Sequence, residues 1–119
     1  MEGLQLHPTT DDDGRLRISI VGEFDLSGVE HFREVVTPAI GSGEYSEIEF
    51  DLGQLTFIDS SGLHALAEAD RAMRGGGGQV RIVGVAAPLL KVFKLIGLDR
   101  VLTILTPSPA ASAVAQGVH

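Results

Sequence analysis

The chain contains no cysteine, so disulfides, thiol catalysis and thiolate metal sites are excluded together. It also lacks an excess of positive charge: 9 Lys and Arg stand against 16 Asp and Glu, giving a formal net charge of -7 and a pI near 4.9. Binding to DNA or RNA rests on neutralising phosphates with basic side chains, and an anionic membrane surface makes the same demand, so both partners are disfavoured. A basic patch on another protein remains open. No uninterrupted apolar run approaches the roughly 18 residues of a membrane span, and Met1 to His7 lack a basic stretch followed by an apolar one. The expectation is a soluble, unexported, cytoplasmic protein.

The common signatures of catalysis are missing too. His7, His31, His64 and His119 are scattered without metal-ligand spacing. Gly75 to Gly78 form a run of glycine with no Lys-Ser/Thr after it, so it reads as a helix stop and loop rather than a phosphate cradle. Asp59-Ser60-Ser61-Gly62 is not a Gly-x-Ser-x-Gly nucleophile elbow, because no glycine stands two places before either serine. No metal, no cofactor and no catalytic set are expected, and the chain reads as a non-enzyme.

What is present is an alternation of strand and helix patterns within 119 residues, a length that suits one domain with a single core. Leu4 to His7 reads as a short first strand, Asp11-Asp12-Asp13-Gly14 as a turn, and Leu16, Ile18 and Ile20 as the buried side of a strand ending at Gly22. The two strands should form an antiparallel hairpin. Ser27-Gly28-Val29-Glu30 fits a capping box in which Ser27 caps the helix and Glu30 reaches back. Val29, Phe32, Val36 and Ile40 then share a face, and Pro38 should kink or end the helix near its last turn.

Further on, Ile48, Phe50 and Leu52 alternate with Glu47, Glu49 and Asp51, a strand leading through Gly53 towards Asp59. A helix from about Ser61 to Arg74 follows, then a strand at Val80 to Val83. Pro88 starts a helix carrying Leu89, Val92, Phe93 and Ile96 on one side, Gly97 stops it, and a last strand covers Val101 to Leu105. Ser108-Pro109 can open a short terminal helix. The pattern predicts an α/β fold: a mixed, mostly parallel sheet of about five strands with about four helices and right-handed crossovers.

One stretch carries the chemistry. In Leu55-Thr56-Phe57-Ile58-Asp59-Ser60-Ser61-Gly62-Leu63 an apolar run breaks into an acid, two hydroxyls and a glycine, and Leu63, Leu66, Ala67 and Met73 then recur at helical spacing. Ser60 and Ser61 therefore sit at a helix N-terminus, where unpaired N–H groups and the macrodipole favour an anion. A cap needs one side-chain acceptor and accounts for one of the three polar groups. Asp25 and Asp59 both follow apolar strand-like segments, so both fall at the sheet end where parallel α/β proteins present their sites.

These residues resemble a known family. Asp59-Ser60-Ser61-Gly62-Leu63, with Gly22-Glu23-Phe24-Asp25 upstream and Val92-Phe93-Lys94-Leu95-Ile96-Gly97-Leu98 downstream, is similar to the STAS domain of anti-sigma factor antagonists. The resemblance covers about residues 4–105 and implies one STAS domain over 1–119, with a helix or tail at 108–119. It implies that Ser60 is phosphorylated by a partner kinase, that Ser61 serves as a structural cap, and that Asp25, Asp59, Ser60, Ser61 and Gly62 form the partner-binding surface. The partner would be an anti-sigma factor with serine kinase activity, whose capture frees a sigma factor; a phosphatase would reset the switch. The chain departs from the family pattern at His64 and in the four-glycine loop. The alternative in the same family is an unphosphorylated STAS subunit of a transporter or larger signalling assembly.

Overall fold

The computed structural model describes residues 3–95, Gly97 and the pair 103–104. The expected terminal helix at 108–119, His119 and Ile96 lie outside the described residues. Two strands open the chain, β1 (Leu4–Thr10) and β2 (Arg15–Phe24), and they pair antiparallel with Leu6 opposite Ile20 and Thr10 opposite Leu16. Their turn is tied by Asp11, whose Oδ1 accepts from the N–H groups of Asp13 and Arg15 at 2.9 and 3.1 Å. Gly14 takes φ 77°, a left-handed conformation that costs glycine little. β1 runs longer than the first strand expected from sequence and contains Pro8, which a sheet edge tolerates because one side of that strand has no ladder to complete.

The rest alternates: α1 (Leu26–Ser42), β3 (Glu47–Asp51), β4 (Leu55–Ile58), α2 (Ser60–Gly75), β5 (Gln79–Val83), α3 (Ala87–Leu95) and β6 (Thr103–Ile104). Five strands lie in the order β1-β2-β3-β5-β6, parallel after the first pair, and the short β4 pairs with β2 off that path. Alternation explains which side is buried. Leu16, Ile18, Ile20, Ile48, Phe50, Val80 and Ile82 turn inward, and Phe32, Val36, Leu66 and Met73 of α1 and α2 close over them. Phe24, Phe32 and Phe50 form a chain of rings with centroids 5.0 and 5.4 Å apart, tilted as aromatic pairs prefer. No helix among the described residues is long and apolar enough to cross a membrane.

Several expectations are corrected. The strand that begins at Glu47 stops at Asp51 and does not run through Gly53: Asp51 Oδ1 accepts from Gly53 N–H in a tight turn, and a new strand, β4, starts at Leu55. β4 can join β2 only past a register shift between Gly22 and Glu23. α1 neither ends nor breaks at Pro38 but continues to Ser42; Pro38 and Glu34 are both exposed, so the carbonyl that loses its N–H partner faces water. Pro38 is thus tolerated. α3 begins one residue before Pro88, and of its expected apolar side Phe93 is fully buried whereas Val92 is 41% exposed.

Two acids are unexpectedly buried. Glu47 faces Gln79 Nε2 at 2.7 Å and the Arg81 guanidinium at 3.5 Å. Asp70 is 2% exposed on α2; its Oδ2 meets Arg74 Nε at 3.2 Å while no described residue hydrogen-bonds its Oδ1. Burial pushes the Asp70 carboxyl above the usual carboxylate range, against the opposing pull of Arg74.

Candidate functional site

β2 and β4 are parallel neighbours, so the helices that follow them start side by side. The chain makes the same move twice, Asp25-Leu26-Ser27-Gly28 into α1 and Asp59-Ser60-Ser61-Gly62 into α2. Asp25 has φ -116°, ψ -169° and Asp59 φ -112°, ψ -172°, so both caps share one extended conformation. Asp59 Oδ1 accepts from the N–H groups of Ser61 at 2.9 Å and Gly62 at 3.2 Å. Asp25 Oδ1 accepts from Ser27 N–H at 3.0 Å and from the Ser27 hydroxyl.

The caps are therefore the two aspartates. Ser27 does not cap α1, and no capping box with Glu30 forms, because the carboxylate two residues earlier already takes the Ser27 N–H and hydroxyl. Likewise Ser61 supplies a backbone N–H to the α2 cap rather than a side-chain acceptor. The hydrogen bond from the Ser27 hydroxyl, before those from the backbone, holds the Asp25 carboxyl below the usual carboxylate range.

The two junctions lock together. Asp59 N–H donates to the Phe24 carbonyl at 3.2 Å, and a Cβ on Gly62 would lie 2.6 Å from that same oxygen. Only glycine permits this approach. Gly28 plays a lesser version of the role against Leu4, whose Cβ would be 3.0 Å away.

Between the helix starts lies an open depression of 400 Å³ lined by Leu26, Val29 and Arg33 of α1 and Ser60, Ser61 and His64 of α2. Ser60 is the first residue of α2 and exposed, and the cap's hydrogen bonds leave its hydroxyl out. Leu26, at the place in α1 that Ser60 holds in α2, is 73% exposed. Arg33 Nη2 donates to Glu68 Oε1 at 2.9 Å across the helices, and His64 Nε2 stands 3.8 Å from Glu68 Oε2. The Arg33 hydrogen bond is the main reason the Glu68 carboxyl sits below its usual range.

Of the residues singled out from sequence, Asp25, Asp59, Ser60, Ser61 and Gly62 come together at this one end of the sheet. His31 stands apart from the serines, within 3.9 Å of Glu34. Leu26, Arg33 and Glu68 had no local signal, since an Arg and a Glu 35 residues apart meet only once α1 and α2 are packed. Among the described residues no group of three or more His, Asp or Glu is arranged to hold a metal ion.

Comparison with known proteins bears on the family and the fold. Residues 8–106 match the family model described as Mlab, STAS domain. The anti-sigma F factor antagonist of Lysinibacillus sphaericus is 31% identical over 81 residues, 68% of this chain and 69% of that protein. Among solved structures, an anti-sigma factor antagonist from Mycobacterium paratuberculosis superposes with a TM-score of 0.76 at 20% identity, covering 95% of this chain and 93% of its own. The Bacillus cell fate determinant SpoIIAA in its phosphorylated form gives 0.69 at 24% identity, covering 92% and 99%.

Proposed function

The chain belongs to the STAS domain family, and from that premise we propose that it is an anti-sigma factor antagonist switched by phosphorylation of Ser60. Unphosphorylated, the end of the sheet that carries Asp25, Asp59, Ser60, Ser61 and Gly62 docks on an anti-sigma factor with serine kinase activity, and the captured partner releases its sigma factor. The kinase transfers phosphate to Ser60 and the complex parts. A phosphatase restores the first state. The chain itself catalyses nothing in this cycle, and its work with RNA polymerase regulators is cytoplasmic.

The observation that carries the reading is the position of Ser60. Asp59 takes the capping role, so the neighbouring hydroxyl is left exposed at the first turn of α2, in a depression open to a partner. Phosphorylation there adds about -1.5 to -2 charges. A partner carboxylate at about 4 Å would feel roughly 4 kcal/mol of repulsion at an effective dielectric near 20, against about 0.3–1 kcal/mol of attraction to the helix dipole. At about 1.4 kcal/mol per decade, binding weakens by about a hundredfold or more. Nothing in the core need move.

The test is affinity capture from a lysate of the source organism. Wild type and Ser60→Ala should retain an anti-sigma factor bearing a nucleotide-binding kinase domain, and Ser60→Asp should lose it. Retention by all three, or capture only of a transporter, would set this reading aside.

A further inference from the structure

Ser60, His64 and Glu68 follow one another at intervals of four along α2, which places them in a row on one face of the helix, neighbours about 5–6 Å apart at Cβ. Arg33 of α1 faces that row. It bonds Glu68 at the far end, and it lines the same depression as Ser60, Ser61 and His64 at the near end. Its side chain is 54% exposed, so the guanidinium can pivot between the two ends without disturbing the core.

We propose that Arg33 is the built-in counter-ion for a phosphate on Ser60, and that it exchanges Glu68 for that phosphate when the serine is modified. The inference rests on the reading of Ser60 as the phosphorylated residue. The chemistry favours the exchange. A phosphoserine near its dianion offers three strong acceptors to the planar fork of a guanidinium, which matches phosphate in bidentate fashion. It also sits at the start of α2, where the N–H groups and macrodipole favour an anion, whereas Glu68 lies in mid-helix and carries one charge.

The release of Glu68 is cushioned. Its other oxygen faces His64 at 3.8 Å, and Arg71 acts on it from the adjoining turn. Asp25 and Asp59 also stand at this end, their carboxylates engaged by N–H groups of their own helices, and the exposed Glu23 of β2 adds a further negative charge there. Arg33 is thus the cation best placed to respond, with His64 a second when protonated. The exchange opens an ion pair that joins α1 to α2. The phosphorylated surface then differs in two places, a fixed phosphate over the α2 start and, about two turns further along the same row, a carboxylate without its arginine.

The experiment uses the full chain with phosphoserine genetically encoded at position 60, so no kinase is needed. The second ionisation of the phosphate, ordinarily near pH 6, is followed by phosphorus NMR. With Arg33 in place it should occur about half a pH unit or more below its value in Arg33→Gln, because a nearby cation favours the dianion. Arg33→Lys should lie between, and Arg17→Gln, a change on the strand face where Arg17 pairs with Glu49, should leave it unmoved. Coincident midpoints for wild type and Arg33→Gln would overturn the proposal. If Arg33→Gln failed to fold, the Arg33 Nε resonance of the intact protein gives the same answer: it moves when Ser60 carries phosphate, and a static resonance refutes the exchange. Failure of any lysate kinase to modify Ser60 would count against the proposed function and leave these measurements standing.

Discussion

A methyl group at Gly62 would press on the Phe24 carbonyl and on Ile58 Cγ1, 2.6 and 2.8 Å away, and both belong to the paired strands beneath the site. Gly62→Ala should therefore destabilise the fold by about 1–3 kcal/mol, the usual cost of overpacking, as read from urea unfolding. Asp59→Ala removes the acceptor for two helix N–H groups and should cost about 1 kcal/mol in the same measurement. Asp70 makes a prediction in pH. Its folded-state carboxyl is raised by burial, so the folded chain holds that proton more tightly than the unfolded one; the stability it contributes is present at low pH and is lost as pH rises through and just above the ordinary carboxylate range. Asp70→Asn should match the wild type in acid and exceed it at neutral pH, with a flatter stability profile between. A variant that lost stability at neutral pH would show that the pairing with Arg74 outweighs the burial.

At the scale of elements, the sequence announced the strands and helices that have a strong period. Leu16, Ile18 and Ile20, or Leu63, Leu66 and Met73, declare their inner face because the same face is buried along the whole element. What was not legible depends on neighbours. The four residues of β4 pair with β2 only through a register shift, and no local pattern distinguishes that from a continuing β3. The Ser27-x-x-Glu30 spacing is a true capping signature that loses here to Asp25, because a carboxylate two residues before Ser27 reaches both its N–H and its hydroxyl first. Asp59, Ser60, Ser61 and Gly62 were visible in the sequence because they are contiguous, and Asp25 because it too follows an apolar strand, while Leu26 and the Arg33–Glu68 bridge came only with the packing of α1 on α2. That bridge is largely solvated, so Arg33→Gln should lower the stability of the unphosphorylated protein by less than about 1 kcal/mol, a small change in the urea midpoint. A larger loss would make the pair a structural clamp.

Under the proposed function, the molecule as a whole is a switch that changes charge without changing fold. Ser60 is exposed and outside the cap, and the core beneath it is closed by Phe24, Phe32 and Phe50. Ser60→Asp should accordingly unfold at a free energy within about 0.5 kcal/mol of the wild type, while its capture of the kinase partner is lost. The most direct measurement is peptide-resolved mass spectrometry on the chain after incubation with ATP and the soluble lysate of its own organism, beside Ser60→Ala. The expected result is phosphate on Ser60 in the wild type and none in the variant. An unmodified Ser60, from a lysate known to contain active serine kinases, would contradict the phosphorylation switch.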